Sequence, residues 1–317
     1  MGLIKNIKKN WKKYLPILGI ILFIYLLIRL GIGNVLKEIA KANPFFLLLS
    51  LDFMVLYLFF QTLKWFVIAK KQKINVPFME AFRINLMSNF YGLVTPSKIG
   101  VITRVEYLKK YTKNLGKGTS NFVLDKVMDT SFIFIAAIVF SFIFQNKFSF
   151  DLRIYLIVLF LFFLLVFLVF HKKERTRFIL RFFYKRLIPK KMKEDTKITF
   201  DSFYEDLPKK RYFPFFFLVN SLAWITTYIS TYFIALSIGI NLPLYYFLAI
   251  LSIGTIVSLI PITINGLGTR EFTLISLFGI FGIEATKVFS MSVISILVSG
   301  VIPALISFFF LFRRKEK

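Results

Sequence analysis

The chain has no cysteine and a single histidine, His171. Without thiols it forms no disulfide, offers no thiolate nucleophile and builds no Cys-ligated zinc site. One imidazole excludes His-rich metal sites and the usual Ser-His-Asp triad. Acidic residues are also scarce, 16 Asp+Glu against 42 Lys+Arg, which leaves a formal net charge of +26. What the chain has in abundance is apolar surface: 57% of it is hydrophobic, 42 of its 317 residues are Phe, and mean hydropathy is +0.71. A soluble domain could not hide that much, so the chain belongs in a bilayer. The basic residues fall in short blocks between apolar runs, as in membrane proteins that fix their orientation with charge. No nucleic-acid partner is expected.

A crossing helix needs about 20 apolar residues. Six stretches qualify: Tyr14–Ile32, Pro44–Ala69, Asn121–Phe144, Leu152–Phe170, Tyr212–Ile238 and Ala285–Phe312. Two more, Phe78–Tyr111 and Pro243–Phe281, are apolar but interrupted by Pro, Gly and charge. Ala40-Lys41-Ala42 mimics a signal-peptide cleavage site but lies too far beyond the first apolar run, so a retained first helix is expected. The segments around 1–13, 64–83, 98–117, 171–212 and 313–317 hold 34 Lys/Arg, and those around 33–43, 145–153, 239–243 and 282–287 hold 5. This asymmetry puts the first set, and both termini, in the cytoplasm. Each interrupted stretch then has both flanks on one side and reads as a re-entrant hairpin, which requires surrounding protein or a wet cavity. The alternative is that Pro243–Thr263 crosses and 264–271 is a cytoplasmic loop. That loop would have no net charge, unlike the other cytoplasmic segments. The expectation is an all-α, multi-pass protein of the cell membrane: six crossings and two hairpins in one transmembrane domain, 1–317.

The hairpins resemble each other. Thr95-Pro96-Ser97-Lys98-Ile99-Gly100 leads to Arg104 and Glu106, and Pro261-Ile262-Thr263-Ile264-Asn265-Gly266-Leu267-Gly268 leads to Arg270 and Glu271. The offset is 165 residues at Pro and 166 at Arg. Entering from opposite faces, they would form an inverted repeat, about 44–144 and 212–312, as in many secondary transporters.

Each hairpin would return as a half-helix whose free N–H groups and partial positive charge favour an anion such as a phosphate. Arg104 and Arg270 would add full charge and a bidentate fork. Gly100, Gly266 and Gly268 would let backbone approach a ligand closely. The structural alternative pairs Arg104 with Glu106 or Asp125, and Arg270 with a carboxylate such as Asp52. Asn121, Asp125 and Asp129 share one helix face beside Lys126. Asp129 lies two turns inside, so it either faces a wet cavity or pairs with a cation. Asp52 is deep enough to demand a partner. Lys64 is expected to snorkel to the cytoplasmic edge. Asn220, Trp224, Thr227 and Thr231 share a face, as do Ser292, Ser295 and Ser299. At such spacing, small polar residues more often serve interhelical packing than substrate contact. Linker 171–211, with Phe178, Phe182 and Ile188 on a possible apolar stripe, reads as a basic amphipathic segment on the anionic leaflet. Its sharper reading is a docking site for a cytoplasmic enzyme.

Asn89…Thr95-Pro96-x-x-x-Gly100-x-x-x-Arg104, Asp125-Lys126-x-x-Asp129 and Pro261…Asn265-Gly266-Leu267-Gly268-x-Arg270-Glu271 together resemble the signatures of the lysylphosphatidylglycerol synthase transmembrane family. The likeness runs from the first helix to Phe312. It implies a flippase-like domain that moves a lipid between leaflets. Val101 and Asn265 stand where many relatives carry Glu and Gly, and the final helix has no Arg. Only Arg313–Lys317 follow that helix, so synthase activity is not expected.

The expected function is translocation of a membrane lipid, an anionic phospholipid or a lipid-linked phosphate. Its headgroup would be bound near the midplane by Arg104, Arg270, Glu271, Gly100, Gly266, Gly268, Asn265, Asp125 and Asp129. No catalytic residue, metal or cofactor is expected. The alternatives are an accessory subunit for a lipid-modifying enzyme, and an intramembrane transferase acting on a lipid-linked phosphate.

Overall fold

In the computed structural model, residues 19–93, 95, 100–112, 115–142, 152–170, 172–176, 178, 193–205, 207–259 and 263–313 are described. Every regular element among them is helical. In chain order these are α1 (Gly19–Leu30), α2 (Ile32–Ala40), α3 (Pro44–Lys71), α4 (Phe78–Leu93), α5 (Thr103–Thr112), α6 (Leu115–Ser141) and α7 (Leu152–Phe170). Then come α8 (Lys193–Tyr204), α9 (Phe213–Ser237), α10 (Leu244–Leu259), α11 (Thr269–Gly279), α12 (Ala285–Ile296) and α13 (Ile302–Arg313). Proline marks several starts: Pro44 opens α3, Pro77 and Pro243 immediately precede α4 and α10, and Pro214 is the second residue of α9. Its missing N–H costs nothing where helix donors are unpaired anyway. Asn43 accepts the Phe45 N–H at 2.9 Å through its side chain and helps cap α3.

Three segments among the described residues are long and apolar enough to cross a bilayer: Pro44–Lys71, Lys210–Ser237 and Ala285–Phe308. α1 and α2 qualify together as a pair bent by 80° at Gly31, whose φ of 83° favours glycine. The chain is therefore an integral membrane protein, and its described residues hold three or four such spans by length and composition, where the sequence reading expects six crossings in the whole chain. One reason is visible in α6. It has 27 residues, but Lys117, Asp125, Lys126 and Asp129 crowd its first half.

Helix boundaries recur along the chain. Pro44–Lys71 and Lys210–Ser237 each run 28 residues. α4 and α10 each run 16, and α5 and α11 run 10 and 11. Pro44 to Lys210, Phe78 to Leu244 and Thr103 to Thr269 are all 166 positions apart, the offset from Arg104 to Arg270.

The chain divides into two compact units, neither of them contiguous. The first is Met1–Leu58, Asn85–Val101 and Ala223–Lys317; the second is Phe59–Ile84 and Ile102–Leu222. In the first, α2 packs on α12, α12 on α11, and α11 on α10. Leu26, Val35 and Phe289 form a buried cluster there, supported by Phe23, Ile275 and Val293. Ser230 Oγ donates to the Ser50 carbonyl at 2.8 Å, binding α9 to α3. A π-turn at Leu297–Val301 joins α12 to α13 just before Pro303, which has no N–H to continue the ladder.

In the second unit α6 packs against α5, α7 and α8. Gly116 makes the approach of α8 possible, since a Cβ there would overlap the Ser202 hydroxyl and the Thr199 carbonyl. α8 lies in the linker expected to rest on the leaflet. Its Ser202 is buried, Asp201 pairs with Lys173 at 3.0 Å, and Tyr204 donates to Thr176 Oγ1 at 2.7 Å. This part of the linker packs on protein. Of the expected apolar stripe, Phe178 is exposed, while Phe182 and Ile188 lie outside the described residues.

Candidate functional site

Asn121, Asp125 and Asp129 recur every four residues on α6, so one face of that helix carries two carboxylates and an amide into the second unit. Arg104, the second residue of α5, meets them from one side. Its Nη2 donates to Asp125 Oδ2 at 2.7 Å, and the two side chains are 2% and 1% exposed. The guanidinium carbon lies 4.9 Å from the Trp65 ring centre and 5.4 Å from that of Phe122, a cation held against two aromatic faces. Of the two alternatives for Arg104, the partner is Asp125. Glu106 is exposed and lies 3.8 Å from Lys109.

Lys64 meets the same face from α3. The expectation that it snorkels is corrected: it is 3% exposed, pairs with Asp129, and lies 3.1 Å from Asp125 Oδ1. Two carboxylates on a neighbouring helix are nearer than water, and they turn the ammonium inward. The Asp125 Oδ1 contact has ion-pair distance without hydrogen-bond geometry, so that atom counts as unsatisfied despite the charge beside it. Lys126 completes the cluster, 2.6 Å from Asp129 Oδ2 and 3.7 Å from Asp125 Oδ2, with 40% of its side chain exposed. Three cations thus surround two carboxylates, and the cluster carries one net positive charge.

Amides brace it. Asn220 donates to the Met128 carbonyl at 2.9 Å and lies 3.4 Å from the Lys64 ammonium through its oxygen. Asn121 donates to the Trp65 carbonyl and to Gln72 Oε1, both at 3.1 Å, and Gln72 donates to Ser120 at 2.6 Å. Three further buried polar atoms lack a hydrogen-bond partner among the described residues: Arg104 Nε, Trp65 Nε1 and Asn121 Oδ1. Such atoms in a native interior are usually met by water or a ligand. Lys64, Trp65 and Gln72 are the functional candidates that sequence reasoning missed. One signal was present, because Lys64 stands almost two turns before the terminal pair Lys70-Lys71.

The second motif is in the first unit. Gly266 and Gly268 have φ of 77° and 81°, and between them the chain turns into α11. A Cβ on Gly268 would overlap the Gly19 carbonyl, so the turn lies directly on the α1 backbone. Glu271, 1% exposed, accepts the Gly268 N–H at 2.6 Å and the Ser292 hydroxyl at 2.6 Å. Both of its oxygens are engaged, at a helix N-terminus that favours negative charge. Arg270 is half-buried, sits within electrostatic reach of the Tyr228 hydroxyl, and makes no ion pair or hydrogen bond among the described residues. Asp52 is exposed and forms no ion pair among them, so the pairing of Arg270 with Asp52 is not made.

Of the expected site residues, Arg104, Asp125 and Asp129 come together in one unit, and Gly266, Gly268, Arg270 and Glu271 in the other. Gly100 belongs with the latter unit, where Thr95 Oγ1 accepts its N–H at 2.7 Å and in turn donates to the Tyr91 carbonyl at 2.8 Å. Pro96, Pro261 and the Asn265 side chain lie outside the described residues. Among the described residues no group of three His, Cys, Asp or Glu could hold a metal ion.

The chain matches the family described as the Lysylphosphatidylglycerol synthase TM region over residues 16–307, and it belongs to that family. It is similar to the UPF0104 membrane protein PH1989 of Pyrococcus horikoshii, 25% identical over 323 residues that cover 93% of this chain and 95% of the relative. It is also similar to a UPF0104 membrane protein of Methanothermobacter thermautotrophicus, 26% identical over 300 residues, covering 87% and 85%. A second protein of that name from the same organism is 22% identical over 310 residues, covering 90% of each.

Proposed function

We propose that this member of the family translocates a membrane lipid with an anionic headgroup, a phospholipid or a lipid-linked phosphate, in the cell membrane. The observation that carries the reading is the excess of cations in an apolar helical chain. Lys64, Arg104 and Lys126 share two carboxylates, and Arg270 has no carboxylate partner among the described residues. A charge at the bilayer centre costs about 2.5 kcal/mol or more. An anionic headgroup paired with Arg270 relieves that cost while its chains stay in lipid. The first turn of α11 brings backbone N–H groups beside Arg270. In this reading Gly100, Gly266 and Gly268 keep backbone close to the headgroup, Asp125 and Asp129 hold the cations in place, and Asn265 and Glu271 shape the second turn. The matched helix lengths at an offset of 166 residues support an internal repeat, which this reading takes as two re-entrant segments in inverted orientation, and the Lys/Arg asymmetry supports cytoplasmic termini.

The test is reconstitution in liposomes with fluorescent phosphatidylglycerol, phosphatidylcholine and polyprenyl phosphate, followed by dithionite quenching of the outer leaflet. Wild type is expected to expose the anionic lipids faster than phosphatidylcholine, and Arg270→Ala to lose most of that rate. No flipping by wild type, or an equal rate for all three lipids, would overturn the reading.

A further inference from the structure

We infer that the two halves of the repeat have divided their labour: Arg270 is the cation that receives the phosphate-bearing headgroup, and Arg104 is a locked structural cation. This rests on the translocator reading above and assigns its binding residue. Both arginines are the second residue of a short helix, Thr103–Thr112 and Thr269–Gly279, and they lie 166 positions apart. Their surroundings differ in charge.

Arg104 has its counter-charges on the helix that follows it, where Asp125 binds it and Asp129 holds Lys64 and Lys126. The helix that follows Arg270, Ala285–Phe308, contains no Asp or Glu at all, so no register of the repeat supplies an equivalent of Asp125. Position 230, equivalent to Lys64, is a serine whose hydroxyl is spent on the Ser50 carbonyl. Glu271 does not substitute, because its oxygens are taken by the Gly268 N–H and the Ser292 hydroxyl.

Access differs in the same sense. Arg104 is 2% exposed, enclosed by Trp65 and Phe122, and held by Asp125 through Nη2. Arg270 is half-buried, and its planar fork is uncommitted among the described residues. That fork matches two phosphate oxygens, and the α11 N-terminus offers further donors. The Tyr228 hydroxyl is within its electrostatic reach, and Thr269 immediately precedes it. Hydroxyls can hydrogen-bond a phosphate without repelling it.

The experiment uses the full-length protein in detergent micelles and measures binding of phosphatidylglycerol, phosphatidylcholine and inorganic phosphate alongside thermal unfolding. Wild type, Arg270→Gln, Arg270→Lys, Arg104→Lys and the double variant Arg104→Leu/Asp125→Leu are compared. Arg270→Gln is expected to weaken phosphatidylglycerol binding roughly tenfold or more with unchanged unfolding, and Arg270→Lys to restore part of it. Arg104→Lys, and the double variant, which removes a matched pair, are expected to bind within about threefold of wild type. If Arg270→Gln binds like wild type, or if folded Arg104→Lys loses as much as Arg270→Gln, the division of labour is wrong. If wild type itself shows no preference for phosphatidylglycerol over phosphatidylcholine, the translocator reading falls, and this inference with it. Inorganic phosphate binding as tightly as the lipid would reassign Arg270 to a free anion and overturn the headgroup assignment.

Discussion

Arg104 and Asp125 meet at 2.7 Å with almost no solvent on either side chain. Removing one member of such a pair leaves the other charge buried and uncompensated, at a cost of about 3–5 kcal/mol. Asp125→Ala would strand Arg104 and also deprive Lys64 of one of its two carboxylates. The expected result is a markedly lower unfolding temperature in detergent and poor yield. The double variant Arg104→Leu/Asp125→Leu should recover much of that loss. Wild-type unfolding of Asp125→Ala would show that the pair contributes little.

Lys64 and Asp129 stand 65 positions apart on different helices, and each contributes to the same charge cluster. Residues in one such network do not contribute independently. A double-mutant cycle with Lys64→Met and Asp129→Leu should therefore show a coupling energy of about 0.5–3 kcal/mol by thermal or denaturant unfolding. Additive effects of the two substitutions would remove Lys64 from the cluster.

Glu271 caps α11 and accepts from Ser292 at once. Glu271→Ala should destabilise by about 0.5–2 kcal/mol through loss of the cap, with a further penalty for the stranded Ser292 hydroxyl. Glu271→Gln keeps one carbonyl oxygen and should cost less than Glu271→Ala. If the two variants unfold alike, the cap is not what holds the turn.

Gly268 combines a φ of 81° with a backbone against the Gly19 carbonyl. Gly268→Ala faces both a strained conformation and a steric overlap, and should cost of order 1–3 kcal/mol. Gly279→Ala is the control, because a Cβ there meets nothing within 4 Å and its φ lies outside the strained range. Equal unfolding temperatures for the two variants would argue against the close approach.

The absence of cysteine makes sidedness directly measurable. Single cysteines at exposed Lys41 and Glu284 should react with a membrane-impermeant maleimide in intact cells. Those at exposed Lys110 and Lys209 should react only after permeabilisation. The reverse pattern would invert the topology.

Much of this protein can be read along its sequence, because the controlling quantities are local sums. Apolar run length against bilayer thickness identifies Pro44–Lys71, Lys210–Ser237 and Ala285–Phe308 as membrane helices. Proline and glycine punctuate their ends, and the motif offset of 166 residues reappears as matched helix lengths. The depth of Asp129 was also legible, with a wet cavity or a cation as its two alternatives.

Tertiary packing decided which cation answered. Lys64 could have reached for the cytoplasmic surface, and Arg104 could have taken Glu106, two residues further along the chain. A long side chain is turned by the nearest opposite charge in three dimensions, and for both residues that charge sat on α6, far away in sequence. The same packing left Arg270 without an acidic partner among the described residues, because Glu271 was already drawn into the turn that starts its helix. Sequence alone settles that these charges must be balanced in an apolar medium; only the folded chain determines which of them balance each other.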